Sequence, residues 1–309
     1  MNSLKFLKIT HFKFSKLSKA FSWAVILMIG TMSTGAHGLV LIEDDFETAE
    51  GFITGVLDSQ FGWTSSGAVV VDTTSPYSGT QMVWLPLDEI NDLTKSTSST
   101  IAGSTVYLDF HLSPNAASSF SELPTDFSHA AAALTGIVNT GSDFGEFYVV
   151  YGNGFGGGTW QSTGTFVPLT GNAVSSYLWY VYELDYATKA YNFFLDGVLI
   201  ANRVPFLNSS TTQFTQFKLG SDGKDDVYFD DFTVSYDAPA GLDHDGDGLL
   251  TSAEDSNGNG VVDAGETDFM STDTYSDSID DLYEVTYGLN PLLDDSDRDA
   301  DLDTLSNLL

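Results

Sequence analysis

Residues 178–206 read LWYVYELDYATKAYNFFLDGVLIANRVPF. Two apolar, aromatic-rich runs, 178–186 and 191–195, flank the turn at Ala187-Thr188, and Asp196-Gly197 follows the second run. Runs this short between turn signals predict antiparallel strands rather than helices. Working outward, the same punctuation recurs at 39–46, 68–71, 81–87, 105–112, 146–151, 214–219 and 227–235, in a stretch rich in Val, Tyr, Phe, Thr, Ser and Gly. Helical periodicity is not sustained anywhere between residues 39 and 237, and residues 130–134 offer the one candidate turn of helix. About nine to twelve strands without helical crossovers predict an all-β fold, a two-sheet antiparallel sandwich.

The strand pattern stops at Tyr236-Asp237-Ala238-Pro239-Ala240-Gly241, which puts a boundary between a sandwich over 39–237 and a small, mostly irregular region over 238–309. The net charge of −32 is unevenly spread: residues 241–309 hold 19 Asp/Glu against one basic residue, Arg298. Repulsion from phosphates argues against a nucleic-acid partner. At the other end, Lys5, Lys8, Lys13, Lys16 and Lys19 precede the apolar run 20–32, and Thr34-Gly35-Ala36 supplies small residues before His37. That layout predicts a signal peptide over 1–38 and an exported protein, extracellular, on the cell surface or in the periplasm. The 13-residue apolar run falls short of the roughly 20 residues that cross a bilayer, so no stable membrane span is expected after cleavage. With no Cys in the chain, the exported form must be held by its core, with bound metal as the available supplement.

From Asp243, the residues DHDGDGLLTSAE fill every ligand position of a 12-residue calcium loop. Asp243, Asp245 and Asp247 stand at positions 1, 3 and 5, Gly248 at 6, Leu249 at 7 with its carbonyl, and Glu254 at 12. Alternate side chains converge on a hard cation, and Gly allows the sharp turn. A second copy, DSNGNGVVDAGE, follows at once, with Asp255, Asn257, Asn259, Val261, Asp263 and Glu266 as ligands. Ca2+ is therefore the expected cofactor. A third loop, with Asp273, Asp277, Asp281 and Glu284, has Tyr275 at position 3 and Ser278 in place of Gly. A fourth, with Asp299, Asp301 and Asp303, has Thr304 at that place, and the chain ends before a position-12 ligand, as expected of a truncated or decayed loop. Between them, Ile279, Leu282, Tyr283 and Tyr287 fall at helical spacing, and Gly288 and Pro291 supply a cap and a stop.

Loops that abut with no room for long flanking helices resemble thrombospondin type 3 calcium-binding repeats, with some likeness to dockerin loops. The segment 279–291 resembles the short helix between such repeats in bacterial surface proteins. The Trp-led strand at Trp179, its return to Asp196-Gly197, the opening Asp44-Asp45-Phe46 and the closing DVYFDDFTV resemble the strands of laminin-G-like and concanavalin-A-like jelly rolls. That likeness spans about 39–237 and implies a lectin-like jelly-roll sandwich.

Some members of that superfamily are glucanases with Glu-x-Asp-x-x-Glu on one strand; here Glu183 and Asp185 begin the pattern, but Thr188 stands where the second Glu is required. A retaining glycosidase needs both carboxyl groups, so a non-catalytic role is expected. His is sparse, Cys is absent, and no Gly-x-Ser-x-Gly occurs. The Gly-rich run GNGFGGGTW reads as a long loop between strands, and Tyr151, Phe155 and Trp160 on or beside it are the candidate ligand-binding rings. The expected partner is an extracellular polysaccharide or cell-surface glycan, met in binding or adhesion. A polysaccharide hydrolase or an envelope spacer is the alternative. The Asp pairs 44/45 and 230/231 would meet at a structural calcium if first and last strands are neighbours.

Overall fold

The computed structural model describes residues 40–87, 91–101, 105–125, 132–174, 176–221, 225–300, 302 and 304–308. The signal segment 1–38, the first half of the expected helical turn at 130–134, Asp301, Asp303 and Leu309 lie outside the described residues. In chain order the strands are β1 (Val40–Asp44), β2 (Gly55–Val56), β3 (Trp63–Ser66), β4 (Val70–Asp72), β5 (Met82–Leu85), β6 (Asn91–Ile101), β7 (Thr105–Ser113) and β8 (Thr135–Asn139). They continue as β9 (Phe144–Gly152), β10 (Gly158–Pro168), β11 (Leu178–Asp185), β12 (Ala190–Leu195), β13 (Val198–Pro205), β14 (Phe214–Ser221) and β15 (Val227–Ser235). Two short helices follow, α1 (Thr251–Glu254) and α2 (Asp281–Tyr287). Among the described residues no helix is long and apolar enough to cross a membrane.

The fold is an all-β sandwich. One layer runs β13-β12-β11-β7-β15-β5-β4-β2, with β1 also on β15, and the other consists of two three-stranded sheets, β10-β9-β8 and β14-β6-β3. Alternation drives the layers together: along β7, Val106, Leu108, Phe110 and Leu112 are buried while the residues between them are half-buried. On β15 the period is reset. Val227 and Phe229 face inward, the pairing with β7 shifts between Asp230 and Thr233, and Phe232 and Val234 face inward beyond it. Without this bulge, Asp231 would enter the core and Phe232 would leave it; Asp231 instead takes a left-handed φ of 51°.

Each expected strand has a counterpart, and among the described residues six more strands were not expected, β2, β3, β6, β8, β10 and β13, the last although it opens on the apolar run Val198-Leu199-Ile200-Ala201. The expected long Gly-rich loop is short, because Gly158, Thr159 and Trp160 already pair with Gly152, Tyr151 and Val150. Residues 132–134 are irregular rather than helical.

A buried ion pair ties the layers. Lys95 of β6 is 6% exposed, and its Nζ lies 2.5 Å from Asp44 Oδ2 of β1. Trp63 Nε1 donates to the same oxygen at 3.2 Å, and Lys95 donates to the Phe61 carbonyl at 2.9 Å.

The acidic region begins on the sandwich itself. Leu242 packs with Val181 and Phe194 on the face of the larger sheet away from the main core. The Asp243 N–H donates to the Gly197 carbonyl at 2.9 Å, and the Leu199 N–H to the Asp243 carbonyl at 3.3 Å. Asp196-Gly197 is a hairpin turn with both φ positive, 51° and 85°. Only Gly fits its second position, since a Cβ there would lie 2.4 Å from the Gly241 carbonyl oxygen.

Candidate metal centre and ligand surfaces

Four segments of the acidic region share one backbone design. In each, the N–H at the sixth position donates to the carboxylate of the first: Gly248 to Asp243 (3.0 Å), Gly260 to Asp255 (2.6 Å), Ser278 to Asp273 (2.8 Å) and Thr304 to Asp299 (2.9 Å). In each, positions 4 and 6 have positive φ: Gly246 and Gly248, Gly258 and Gly260, Ser276 and Ser278, Leu302 and Thr304. The last two pairs adopt, without Gly, the left-handed conformation that the first two reach freely.

In the first loop, ligand oxygens of Asp243, Asp245 and Asp247 lie within 4.8 Å of one another. Glu254, at the end of α1, is 0% exposed; its Oε1 accepts from Thr267 Oγ1 at 3.3 Å, and its Oε2 has no partner. Asp245 Oδ2 is likewise buried and unpartnered. Burial first, then the Asp245 and Asp247 charges, push the Glu254 carboxyl up to about 8. Buried carboxylate oxygens without donors fit a hard cation, and the donor set, all oxygen, suits calcium. Asp247 also reaches outside its loop, accepting the Leu282 N–H at 3.1 Å.

The second loop gathers differently. Asp263 Oδ2 accepts from Asn257 and Asn259 side chains at 2.8 and 2.9 Å. Both oxygens of Glu266 are engaged, Oε1 by the N–H and hydroxyl of Ser256 and Oε2 by the Asp263 N–H. Asp255 accepts the Asn259 and Gly260 N–H groups, and Val261 is exposed.

Glu183 is built into the junction. Tyr107 donates to its Oε1 at 3.2 Å, and Asn192 and His244 contact its Oε2 at 2.8 and 3.4 Å. Burial alone would raise this carboxyl, but those bonds hold it below its usual range. Asp185 instead caps the β11–β12 turn through Ala187 and Thr188.

Of the three candidate rings, Phe155 is 92% exposed at the tip of the β9–β10 hairpin, its N–H held by Asn153 Oδ1. Tyr151 is half-buried against the core. Trp160 is half-buried on β10, over Gly136, with its indole N–H donated to the Pro124 carbonyl at 2.9 Å. An aromatic row that sequence reading did not find lies on the larger sheet. Tyr77 stacks on His111 at 3.5 Å between centroids, His111 on Trp179 at 6.4 Å, and Tyr177 meets Tyr77 edge-on. Asp109 lies beside it, 3.3 Å from Trp179 Nε1, and burial pushes its carboxyl up to about 6. His111 and Trp179 are cross-strand partners, a relation that needs the β7–β11 register to be seen. A cleft of about 700 Å3 between the layers is lined by Phe110, Tyr180, Tyr182 and Phe217.

The pairs 44/45 and 230/231 do approach, since β1 pairs with β15. Asp44 is taken by Lys95, Asp230 accepts the Tyr77 and Ser78 N–H groups, and Asp231 accepts the Ser78 hydroxyl at 2.8 Å and lies 3.7 Å from His111 Nδ1, while burial and then the Asp45 charge raise the Asp231 carboxyl.

No protein-family model and no curated protein matches the chain. Among solved structures, it is similar to the CBM22-1 xylan-binding domain of Xyn10C from Paenibacillus barcinonensis, at 14% identity over 64% of this chain and 94% of that one, with a TM-score of 0.30. It is also similar to a cellulose induced protein, Cip1, at 17% identity over 62% and 96%, with a TM-score of 0.30. A third, the binding domain of botulinum neurotoxin serotype D, gives 7% identity over 63% and 48%, with a TM-score of 0.37. Identities this low leave the ligand to be argued from this chain's own residues.

Proposed function

We propose that this chain is an exported, non-catalytic module that binds calcium through residues 243–266 and a polysaccharide or cell-surface glycan through its sandwich. The observation that carries the calcium reading is the wholly buried Glu254, one oxygen unpartnered, beside the converging Asp243, Asp245 and Asp247. Extracellular calcium modules bind at about 0.1 to 1 mM, and loops without long flanking helices fit that range. Calorimetric titration of calcium-depleted protein tests it: Glu254→Gln and Asp243→Ala should each weaken uptake at least tenfold. Absence of any calcium uptake by the unsubstituted protein would falsify the assignment.

The glycan reading is supported by Phe155, held open on a short hairpin, and by the Tyr77–His111–Trp179 row, flat rings of the kind on which sugar faces stack. A glycan array with Phe155→Ala, Trp160→Ala and Trp179→Ala beside the parent protein tests it. Binding that survives all three substitutions removes these surfaces from consideration. A hydrolase would need a free carboxylate pair, whereas Glu183 serves Tyr107, Asn192 and His244, and Asp185 serves its turn.

A further inference from the structure

Helix α2 is built inside out. It buries Asp281 and Glu284 and leaves Tyr283 and Tyr287 exposed at 46% and 68%. A surface helix normally turns its apolar stripe inward, so whatever α2 packs around favours carboxylates over rings. For Asp281 the reason is local, since Thr274 donates its N–H and its hydroxyl to the two oxygens. Glu284 has no such partners: it is 1% exposed and neither carboxylate oxygen accepts a hydrogen bond.

We propose that Asp277, Glu284 and Asp295 form a second calcium site, separate from the loop that ends at Glu254 and closed by a residue from beyond the twelve-residue repeat. One oxygen of each lies within 4.8 Å of the others. The flanking carboxylates are fixed in place by bonds that aim them at Glu284. Asp277 accepts the Ile279 N–H on one oxygen and the Asp295 and Ser296 N–H groups on the other. Asp295 is buried and accepts from Asn307 Nδ2 at 3.2 Å. Partners that orient ligands in this way stand behind metal sites.

The chemistry selects the ion. Three carboxylates with no imidazole or thiolate exclude a soft metal. Magnesium keeps most of its water and takes one or two carboxylates, whereas calcium accepts many oxygens in loose geometry. The third loop supplies Asp277 and Glu284 from positions 5 and 12, despite Tyr275 at position 3 and Ser278 at position 6, because Ser276 and Ser278 hold the required positive φ. Its position-9 residue, Asp281, stays with Thr274, and Asp295, 18 residues after Asp277, completes the set. In the second loop both oxygens of Glu266 already accept hydrogen bonds, so an ion there would have to displace the Ser256 and Asp263 donors, whereas Glu284 has none to displace.

The test is calcium titration of the full calcium-depleted chain by calorimetry, with bound calcium counted by equilibrium dialysis. Glu284→Gln and Asp295→Asn should each lose one equivalent, or weaken it at least tenfold, while keeping the equivalent that Glu254→Gln removes. The Glu254→Gln/Glu284→Gln double variant should lose two. If Glu284→Gln does not fold, as read by circular dichroism, Asp295→Asn decides alone. The proposal is overturned if the folded variants bind the parent number of calcium ions with parent affinity while Glu254→Gln loses one, for then the cluster holds a proton. If Glu254→Gln also binds like the parent, the calcium reading of the first loop fails with it.

Discussion

The sandwich and the acidic region bury opposite chemistry. In the first, Trp63, Phe110, Phe147, Phe193, Phe229 and Phe232 form a continuous aromatic core, and the buried cation Lys95 has Asp44 beside it. In the second, the buried side chains include Asp243, Glu254, Asp255, Asp281, Glu284 and Asp295, while Val261, Tyr283 and Tyr287 are exposed. A core of rings is stable in water by itself; a core of carboxylates is stable only when something positive shares it. The two regions are therefore expected to answer to different variables, apolar volume in one and calcium in the other.

The comparison is sharpened most by Phe229→Ala, which empties the centre of the aromatic cluster and should cost about 3–5 kcal/mol in urea unfolding, with or without calcium. A loss that depends on calcium would merge the two regions. Lys95→Met should cost about 3 kcal/mol by leaving Asp44 buried without its cation, read from the same curves. Calcium at a hundredfold above its dissociation constant should stabilise the acidic region by about 2.7 kcal/mol. Hydrogen exchange should show protection over 243–295 falling on chelation while β7, β11 and β15 keep theirs. Equal protection in both states breaks the comparison.

A smaller effect concerns His111, which burial pushes down to about 4. The unfolded chain takes up a proton near 6.5 that the folded chain refuses until about 4, so His111 costs stability as pH falls through that window. Asp109 and Asp230, raised to about 6 and about 7, pull the other way in both proteins, so the difference between parent and His111→Gln reports the histidine together with Asp231, whose Oδ2 lies 3.7 Å from His111 Nδ1. His111→Gln should gain about 1 kcal/mol on the parent between pH 7 and pH 5, allowing for its partial exposure. Smallest is Ser278→Gly, which should relieve a φ of 78° and stabilise the third loop by about 0.5 kcal/mol in thermal melts with calcium.

What the sequence revealed follows from which interactions are local. Strands such as β7, β11 and β15 advertise themselves through apolar alternation. β6 does not, because Asn91–Ile101 is mostly Ser, Thr and charged residues and its inward Lys95 reads as a surface residue until Asp44 is placed opposite. β13 is masked by Asn202, Arg203 and Pro205, where the pairing with β12 slips and Arg203 takes a positive φ. The first acidic loop was legible because its candidate ligands fall within twelve residues. Asp295 was not, since its neighbourhood is set by how the chain after α2 folds back on Asp277. The row of Tyr77, His111 and Trp179 was hidden for the same reason, its members coming from three separate stretches of chain.

A beam built into a wall bends, and one hung on a pin swings. The join at Leu242 is of the first kind, for within three residues it has an apolar plug in the sheet face, two backbone hydrogen bonds to the β12–β13 hairpin, and a histidine contact to Glu183. A sideways pull on the acidic region is met at its root by bonds that must shear together. The first acidic loop starts at that root, so an ion bound there would act as a stiffener at the point of greatest bending moment.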